Sequence, residues 1–373
     1  MIRPTTAHID LDALKSNYRH IVEFVAREQP TRVPGVIAVV KANAYGHGAG
    51  QVARALEDAG AGLLACADIE EGAALRAAGV RAPILVFGAL SVSDLDGLFD
   101  CDLTPTISTP GAAQAVQAAA ARYKRRLRYH LKIDTGMNRL GFRFDNLRRT
   151  LPGLLASGNL ELEGLYTHFA TADVPDSPLF DQQRTRFERA IADVAALGGS
   201  PRFQHASNSA ALLRDSRVWY DLVRPGLLLY GIVPPPLAST VPLQPVMRLV
   251  SRVVAVKGMR SGEITGYGGR FTAERPTTLA IVPAGYADGL DLRLAGRGVV
   301  LIRGRRAPIV GSVCMDMLMA DVTGMEVSPG DEVVIIGAQG HDRIDAREMA
   351  AAVGTIAWEV VCRVGSRIER VYG

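Results

Sequence analysis

Lys41 stands where a lysine can do chemistry. It directly follows the apolar, β-branched run VPGVIAVV and directly precedes the small-residue stretch ANAYGHGAG. Only five of the 42 basic residues are lysines (positions 15, 41, 124, 132 and 257); the others are arginines. Arginine forms no imine with a carbonyl and keeps its proton in proteins. A lysine at the carboxyl end of a buried strand is costly unless it is paired or used. Such a setting favours a lowered lysine pKa and Schiff-base chemistry.

Further polar residues recur at the ends of strand-like segments. Asn43, Tyr45 and His47 follow Lys41. Lys132, Asp134 and Arg139 lie in HLKIDTGMNRLGF, and His168 in EGLYTHFATAD. His205, Asn208 and Ser209 lie in HASNSAA, and Arg224 and Gly226 in VRPGLLLYG. Singly, each has a plainer reading. Tyr45 suits a core rim, His168 a satisfied core histidine, Arg139 and Arg224 surface or ion-pair arginines, and Gly226 a turn. Asn208 and Ser209 suit a helix N-cap before AALLRDS. The free N–H groups of a helix start also bind phosphate. His47 and His205 read as structural. Polar groups at five strand ends together predict a site.

The elements that must position these residues alternate. Strand signals at VIAVVKA, GLLACAD, PILVFGA, LTPTIS, LRYHLKID, LELEGLYTHF, PRFQHAS and DLVRPGLLLYG are separated mostly by Ala-rich amphipathic runs. These runs place apolar residues at i, i+3, i+4, as core-facing helices do. The strands are short and apolar, as in a parallel sheet buried on both faces. Eight such units predict an α/β fold, a (β/α)8 TIM-like barrel, with its chemistry at the carboxyl ends of the strands. An open doubly wound sheet would usually stop near six strands.

The proline-rich stretch 232–245 reads as a linker. Beyond it, VMRLVSRVVAVKGM, TTLAIVPAGYADG, GVVLIRGRRAPIVG, MLMADVTG and DEVVIIGA predict an antiparallel β module, with one helix within RIDAREMAAAVGTIAWEVVCRVG. The expected domains are therefore a barrel over 1–240 and a mainly β domain over 241–373, which the short N-terminal strand HIDLD could join.

Composition bounds the function. The chain has 373 residues, 48% apolar and 21% charged, as in a soluble globular protein. A net charge of +4, mixed along the chain, gives no argument for nucleic acid or for an anionic membrane. Four cysteines (66, 101, 314, 362) without a C-x-x-C pair point to free thiols rather than disulfides or zinc. No metal site is expected. The N-terminus lacks an apolar signal core, and no window reaches the ~18 apolar residues of a membrane span. A cytoplasmic protein is expected.

VVKANAYGHG resembles the signature of fold-type III pyridoxal-5′-phosphate (PLP) enzymes, specifically the alanine racemase family. The resemblance extends through LKIDTGMNRLGF, EGLYTHFATAD, HASNSAA, VRPGLLLYG, GYGGRF, VPAGYADGL and GSVCMDMLMADVTG, in order and over nearly the whole chain. It implies that Lys41 holds PLP covalently. Tyr45, Ser209 and the backbone around Gly226 and Leu227 would bind the phosphate, with Asn208 beside them. Arg224 would face the pyridine nitrogen, Arg139 the phenolic oxygen and the substrate, and His168 the ring and Arg224. Tyr267 would be the second catalytic base. Met315 and Asp316 would meet the substrate carboxylate, and Tyr286 would narrow the entrance passage. In some relatives the lysine matching Lys132 carries a carbamate that braces the arginine matching Arg139. Relatives often have a phosphate-reaching tyrosine where this chain has Trp358, in GTIAWEVV; indole donates a hydrogen bond and accepts none.

The resemblance implies interconversion of L- and D-alanine, supplying D-alanine for peptidoglycan, in a head-to-tail homodimer with sites at the subunit interface. PLP provides an electron sink, while Lys41 and Tyr267 would serve opposite faces of the α-carbon. A guanidinium only donates, so a ring nitrogen facing Arg224 must stay unprotonated. Such a weaker sink favours immediate reprotonation over transamination. Serine or a broader set of amino acids is the alternative substrate class, since one methylene or hydroxyl shifts discrimination by only ~1–3 kcal/mol. A decarboxylase of the same fold type lacks its own sequence blocks here. A non-catalytic PLP-binding protein would need no β module carrying Tyr267.

Overall fold

The computed structural model describes residues 4–90 and 94–373. The chain forms two compact units. One comprises 15–44 and 49–243; the other comprises the segment ending at Leu14, 45–48 and 244–373.

The first unit is a parallel barrel. Its strands are 35–39, Leu64–Cys66, Ile84–Val86, Thr104–Ile107, Leu127–Asp134, Leu160–Tyr166, Phe203–Asn208 and Leu222–Arg224, which are the eight the sequence predicts. Each pairs in parallel with the next. Closure is made by the first strand. The N–H groups of Gly35, Ile37 and Val39 donate to the carbonyls of Asp221, Val223 and Pro225 on the eighth, while those of Ala38 and Val40 donate to Leu63 and Ala65 beside the second. Both edges of the sheet are thereby consumed.

The Ala-rich runs form the outer helices, including Ala49–Asp58, Ile69–Ala77, Pro110–Arg122 and Leu179–Ala196. Local chemistry sets their starts. Asp68 caps the N–H of Glu71, and Thr109 caps Ala112 ahead of Pro110 in the first turn. Strands one to three bury only apolar side chains, whereas strands four, five, seven and eight also bury Thr106, His130, Lys132, His205 and Arg224.

The second unit is a β module. Its main sheet runs, in spatial order, Ala255–Met259, Thr277–Val282, Leu318–Asp321, Arg305–Val310, Val299–Ile302, Glu332–Gln339, Met247–Arg252, Thr6–Ile9 and Glu369–Tyr372. All neighbours are antiparallel except the last pair, Thr6–Ile9 with Glu369–Tyr372. Arg303 and Gly304 both take positive φ (51° and 72°) at the tip of the hairpin in GVVLIRGRRAPIVG, the geometry a two-residue turn between twisted strands requires. The stretch 232–245 carries no helix or strand.

The single helix expected in RIDAREMAAAVGTIAWEVVCRVG is two. Asp345 accepts from the N–H groups of Arg347 and Glu348 and starts Ala346–Val353 after the strand Asp342–Ile344. Gly354 ends it in the left-handed conformation, and Ala357–Cys362 follows. Among the described residues no helix is long and apolar enough to cross a membrane.

Candidate active site

Lys41 opens a left-handed turn at the end of the first barrel strand. Ala42, Asn43, Ala44 and Tyr45 all have φ between 52° and 54°. For non-glycine residues this costs roughly 1–2 kcal/mol each, so the turn persists only because its surroundings hold it. In the barrel unit three bonds do so. The Glu71 carboxylate accepts from the N–H of Ala42 at 2.6 Å and of Ala67 at 2.8 Å. Asn43 Oδ1 accepts from the N–H of Ala49 and thereby opens the next helix. The N–H of Ala44 donates to the Val40 carbonyl. Glu71 thus ties the first strand end to the second, and nothing in its helical setting marks it in the sequence.

Around this strand end the barrel gathers cations. Lys132 is 6% exposed, and burial lowers its pKa to about 8, with the charges of Arg139, Arg224 and Lys41 pressing the same way against Asp134. Asp134 is itself committed: its Oδ1 accepts from the N–H groups of Gly136, Met137 and Asn138 and so shapes the loop that carries Arg139. Arg139 is exposed. Arg224 is 4% exposed and has no carboxylate partner among the described residues. Its Nη1 donates to His205 Nδ1 at 2.9 Å, and its Nη2 to the carbonyls of Thr167 and Ala206 at 2.9 Å and to His168 Nδ1 at 3.3 Å. Burial lowers even this guanidinium to about 10. Burial and then Arg224 hold His168 well below the usual imidazole range, so it stays neutral.

One ring organises these groups. Tyr166 lies under Arg224 (5.3 Å from guanidinium carbon to centroid) and Lys132 (5.6 Å), stacks on His205 at 4.6 Å, and hydrogen-bonds Thr106. Tyr166 was not among the residues singled out from sequence, where it reads as one more aromatic strand residue. At the eighth strand end, Ser209 Oγ accepts from the N–H of Gly226 at 3.0 Å and of Leu228 at 3.5 Å, folding the short 3-10 turn Leu227–Tyr230 onto the helix Ser209–Arg214. Asn208 caps that helix through the N–H of Ala211. His205, read as structural from the sequence, touches Arg224.

The β module holds the remaining residues. Tyr45 is pushed up by burial and by Cys362, so its phenol stays protonated. Its carbonyl accepts from His47 Nδ1. Within this unit the Gly46 carbonyl takes Nε and Nη2 of Arg370. Trp358 lies half-buried on the helix Ala357–Cys362. Tyr267 is 79% exposed on a 3-10 turn whose carbonyl accepts from Ser312. Tyr267 and Tyr286 line one cavity of about 410 Å³ with Arg293 and Ser312. Tyr267, Met315 and Asp316 line an adjoining open groove. The Asp316 carboxylate pairs with Arg367 at 2.6 Å, so any contact of this segment with an anion falls to its backbone. Gly285 lets Tyr286 approach: a Cβ there would lie 2.3 Å from the Cys314 carbonyl.

The barrel site therefore offers one strand-end lysine, three further cations without a free carboxylate among them, and a serine-organised turn. That donor set fits a small anionic carbonyl compound bearing a phosphate.

The alanine racemase N-terminal domain model matches residues 9–234, and the alanine racemase C-terminal domain model matches 246–372. The chain belongs to the alanine racemase family. The alanine racemase of Carboxydothermus hydrogenoformans is 41% identical over the full length of both chains. That of Symbiobacterium thermophilum is also 41% identical, over all of this chain and 98% of its own. Among solved structures, alanine racemase from D-cycloserine-producing Streptomyces lavendulae superimposes with a TM-score of 0.94 at 35% identity, covering 100% of this chain and 98% of that one. Alanine racemase from Bacillus anthracis with bound L-Ala-P gives 0.92 at 36%, covering 100% and 96%. The family thus shares both units of this chain.

Proposed function

We propose that this protein interconverts L-alanine and D-alanine using PLP carried on Lys41, in a homodimer that joins the barrel of one copy to the β module of another. The observation that carries the reading is the cation cluster at the barrel strand ends, in a chain of the alanine racemase family. PLP, when bound, supplies the electron sink that acidifies the α-proton.

The residues divide the work. Ser209, Tyr45 and the backbone around Gly226 and Leu227 hold the phosphate, with Asn208 fixing the helix start. Arg139, braced by Lys132, faces the phenolic oxygen and the substrate. Arg224 donates to the ring nitrogen and, lacking an acceptor of its own, cannot leave that nitrogen protonated. Lys41 moves the proton at Nζ on one face, and the Tyr267 phenol on the other. His168 accepts from Arg224 at Nδ1, so its own proton sits on Nε2, free to orient the phenol oxygen. Backbone N–H groups at Met315 and Asp316 meet the substrate carboxylate, Tyr286 narrows the entrance, and Trp358 stands near the phosphate as a donor.

Exposure supports the homodimer. Tyr267 (79%), Ile264 (64%), Met315 (52%) and Met317 (45%) crowd one groove of the β module, an apolar surface of the kind that marks an interaction site. The product fits supply of D-alanine to peptidoglycan in the cytoplasm. The testing experiment is α-proton exchange in deuterated water with L-alanine, D-alanine and serine. Exchange of both alanine enantiomers with inversion supports the reading. Exchange confined to serine, or none, refutes it.

A further inference from the structure

The barrel contains a second polar construction behind Arg224. Arg224 can only donate, so the nitrogen it reaches at 2.9 Å, Nδ1 of His205, accepts. The proton of neutral His205 is therefore on Nε2, and it points at Nδ1 of His130, 2.9 Å away. His130 must accept there, so its proton is on its own Nε2, which faces Oε2 of Glu163 at 3.5 Å. Oε1 of Glu163 takes Nη1 of Arg128 at 3.1 Å. The series crosses barrel strands five to eight and ends in the guanidinium.

Two features show that the fold is shaped around it. Tyr129 pairs with Leu162, but the next residue, His130, pairs with Gly164. Glu163 is thus the extra residue of a β-bulge, a device that re-aims side chains and is rare between parallel strands. Gly164 leaves the space that the His130 ring fills, since a Cβ there would lie 2.5 Å from Nδ1. Both imidazoles are fully buried, at 1% and 0% exposure. Burial holds each below the usual imidazole range, further for His205, while the hydrogen bond from His130 keeps Glu163 ionised.

We infer that Glu163 and His130 are positioning residues that act through His205, fixing its Nδ1 as an acceptor so that Arg224 is held in one orientation. Arg224 Nη1 has one hydrogen committed to His205 and Nη2 is committed to two carbonyls and His168. That leaves Nε–H and the second Nη1 hydrogen to meet a ligand. Were His205 to switch tautomer, its Nδ1–H would oppose the guanidinium and turn it. The effect on catalysis rests on the proposed role of Arg224; the tautomers do not.

The test uses holoenzyme labelled with 15N-histidine, with His130→Gln and His205→Gln variants to assign the signals. Long-range 1H–15N spectra of the wild type should show both residues neutral with the proton on Nε2. A protonated imidazole or an Nδ1–H form at either position overturns the inference without any variant. Glu163→Leu removes the terminal acceptor. It should populate the other tautomer and lower kcat for alanine about tenfold or more, the range seen when outer partners of a site residue are lost, with KM changed less. Glu163→Gln keeps an acceptor oxygen and should restore most of kcat. Unchanged tautomers and kcat in the leucine variant refute the positioning role. If the tautomers switch but kcat holds, an Arg224→Leu variant locates the error: unchanged cofactor absorbance there removes Arg224 as the ring partner, whereas a changed band leaves Arg224 in place and rejects positioning by Glu163.

Discussion

Glu71→Gln tests how Lys41 is aimed. The carboxylate receives two backbone N–H groups, from Ala42 at 2.6 Å and from Ala67 at 2.8 Å. Hydrogen bonds to charged groups contribute roughly 1.5–3 kcal/mol each. Glutamine keeps one neutral acceptor and turns an NH2 toward the other N–H, so one bond is lost and the other weakened. Ala42 is exposed and water recovers part of the loss, which favours the low end, ~2 kcal/mol. The four left-handed residues that follow Lys41 store roughly 4–8 kcal/mol at 1–2 kcal/mol each, so this loss is a large share of what restrains them. If all of it misdirects Lys41, kcat falls about 30-fold, at ~1.4 kcal/mol per factor of ten. The assay compares Glu71→Gln with Glu70→Gln, an exposed neighbour on the same helix, by denaturant unfolding and by racemisation rate. Equal stability and equal kcat in the two variants would refute the argument that Glu71 holds the turn.

Other outcomes follow from the same structure. Arg370→Met removes donors to the carbonyls of Gly46, Val364, Gly365 and Ile368. It should destabilise the protein by about 2–3 kcal/mol, since several part-buried carbonyls lose charged partners, and should weaken cofactor retention through Tyr45; an unchanged melting temperature counts against this. Tyr267→Phe should keep cofactor absorbance while reducing racemisation by at least about a hundredfold, with exchange lost more from one enantiomer than the other. Equal rates in both directions, at wild-type level, would remove the phenol from the reaction.

Much of the barrel was legible because its code is local. Each strand is a short apolar run closed by Gly, Pro or Asp, and each main helix has an apolar stripe. The strand ends then placed Lys41, Arg139, His168 and Arg224 on one rim without any tertiary knowledge. What could not be read depends on register and reach. Glu163 turns toward His130 only because of a bulge between strands five and six, which no periodicity announces. Glu71 looks like any exposed helical carboxylate until the fold brings Ala42 to it. His205 reads as a core histidine because its role is set by Arg224, nineteen positions away in sequence. The apolar spacing of the C-terminal helix runs through Gly354 and so predicts one helix, where the left-handed φ of 68° at that glycine makes two.

Lys41 is the proposed carrier of the cofactor. Borohydride reduction of purified holoenzyme, followed by peptide mapping, reads this directly among the five lysines of the chain. The account predicts a single modified peptide, VVKANAYGHG, carrying the label at Lys41 and absent in Lys41→Ala. Label on Lys132 or any other lysine, or an unchanged visible cofactor band in Lys41→Ala, would contradict it.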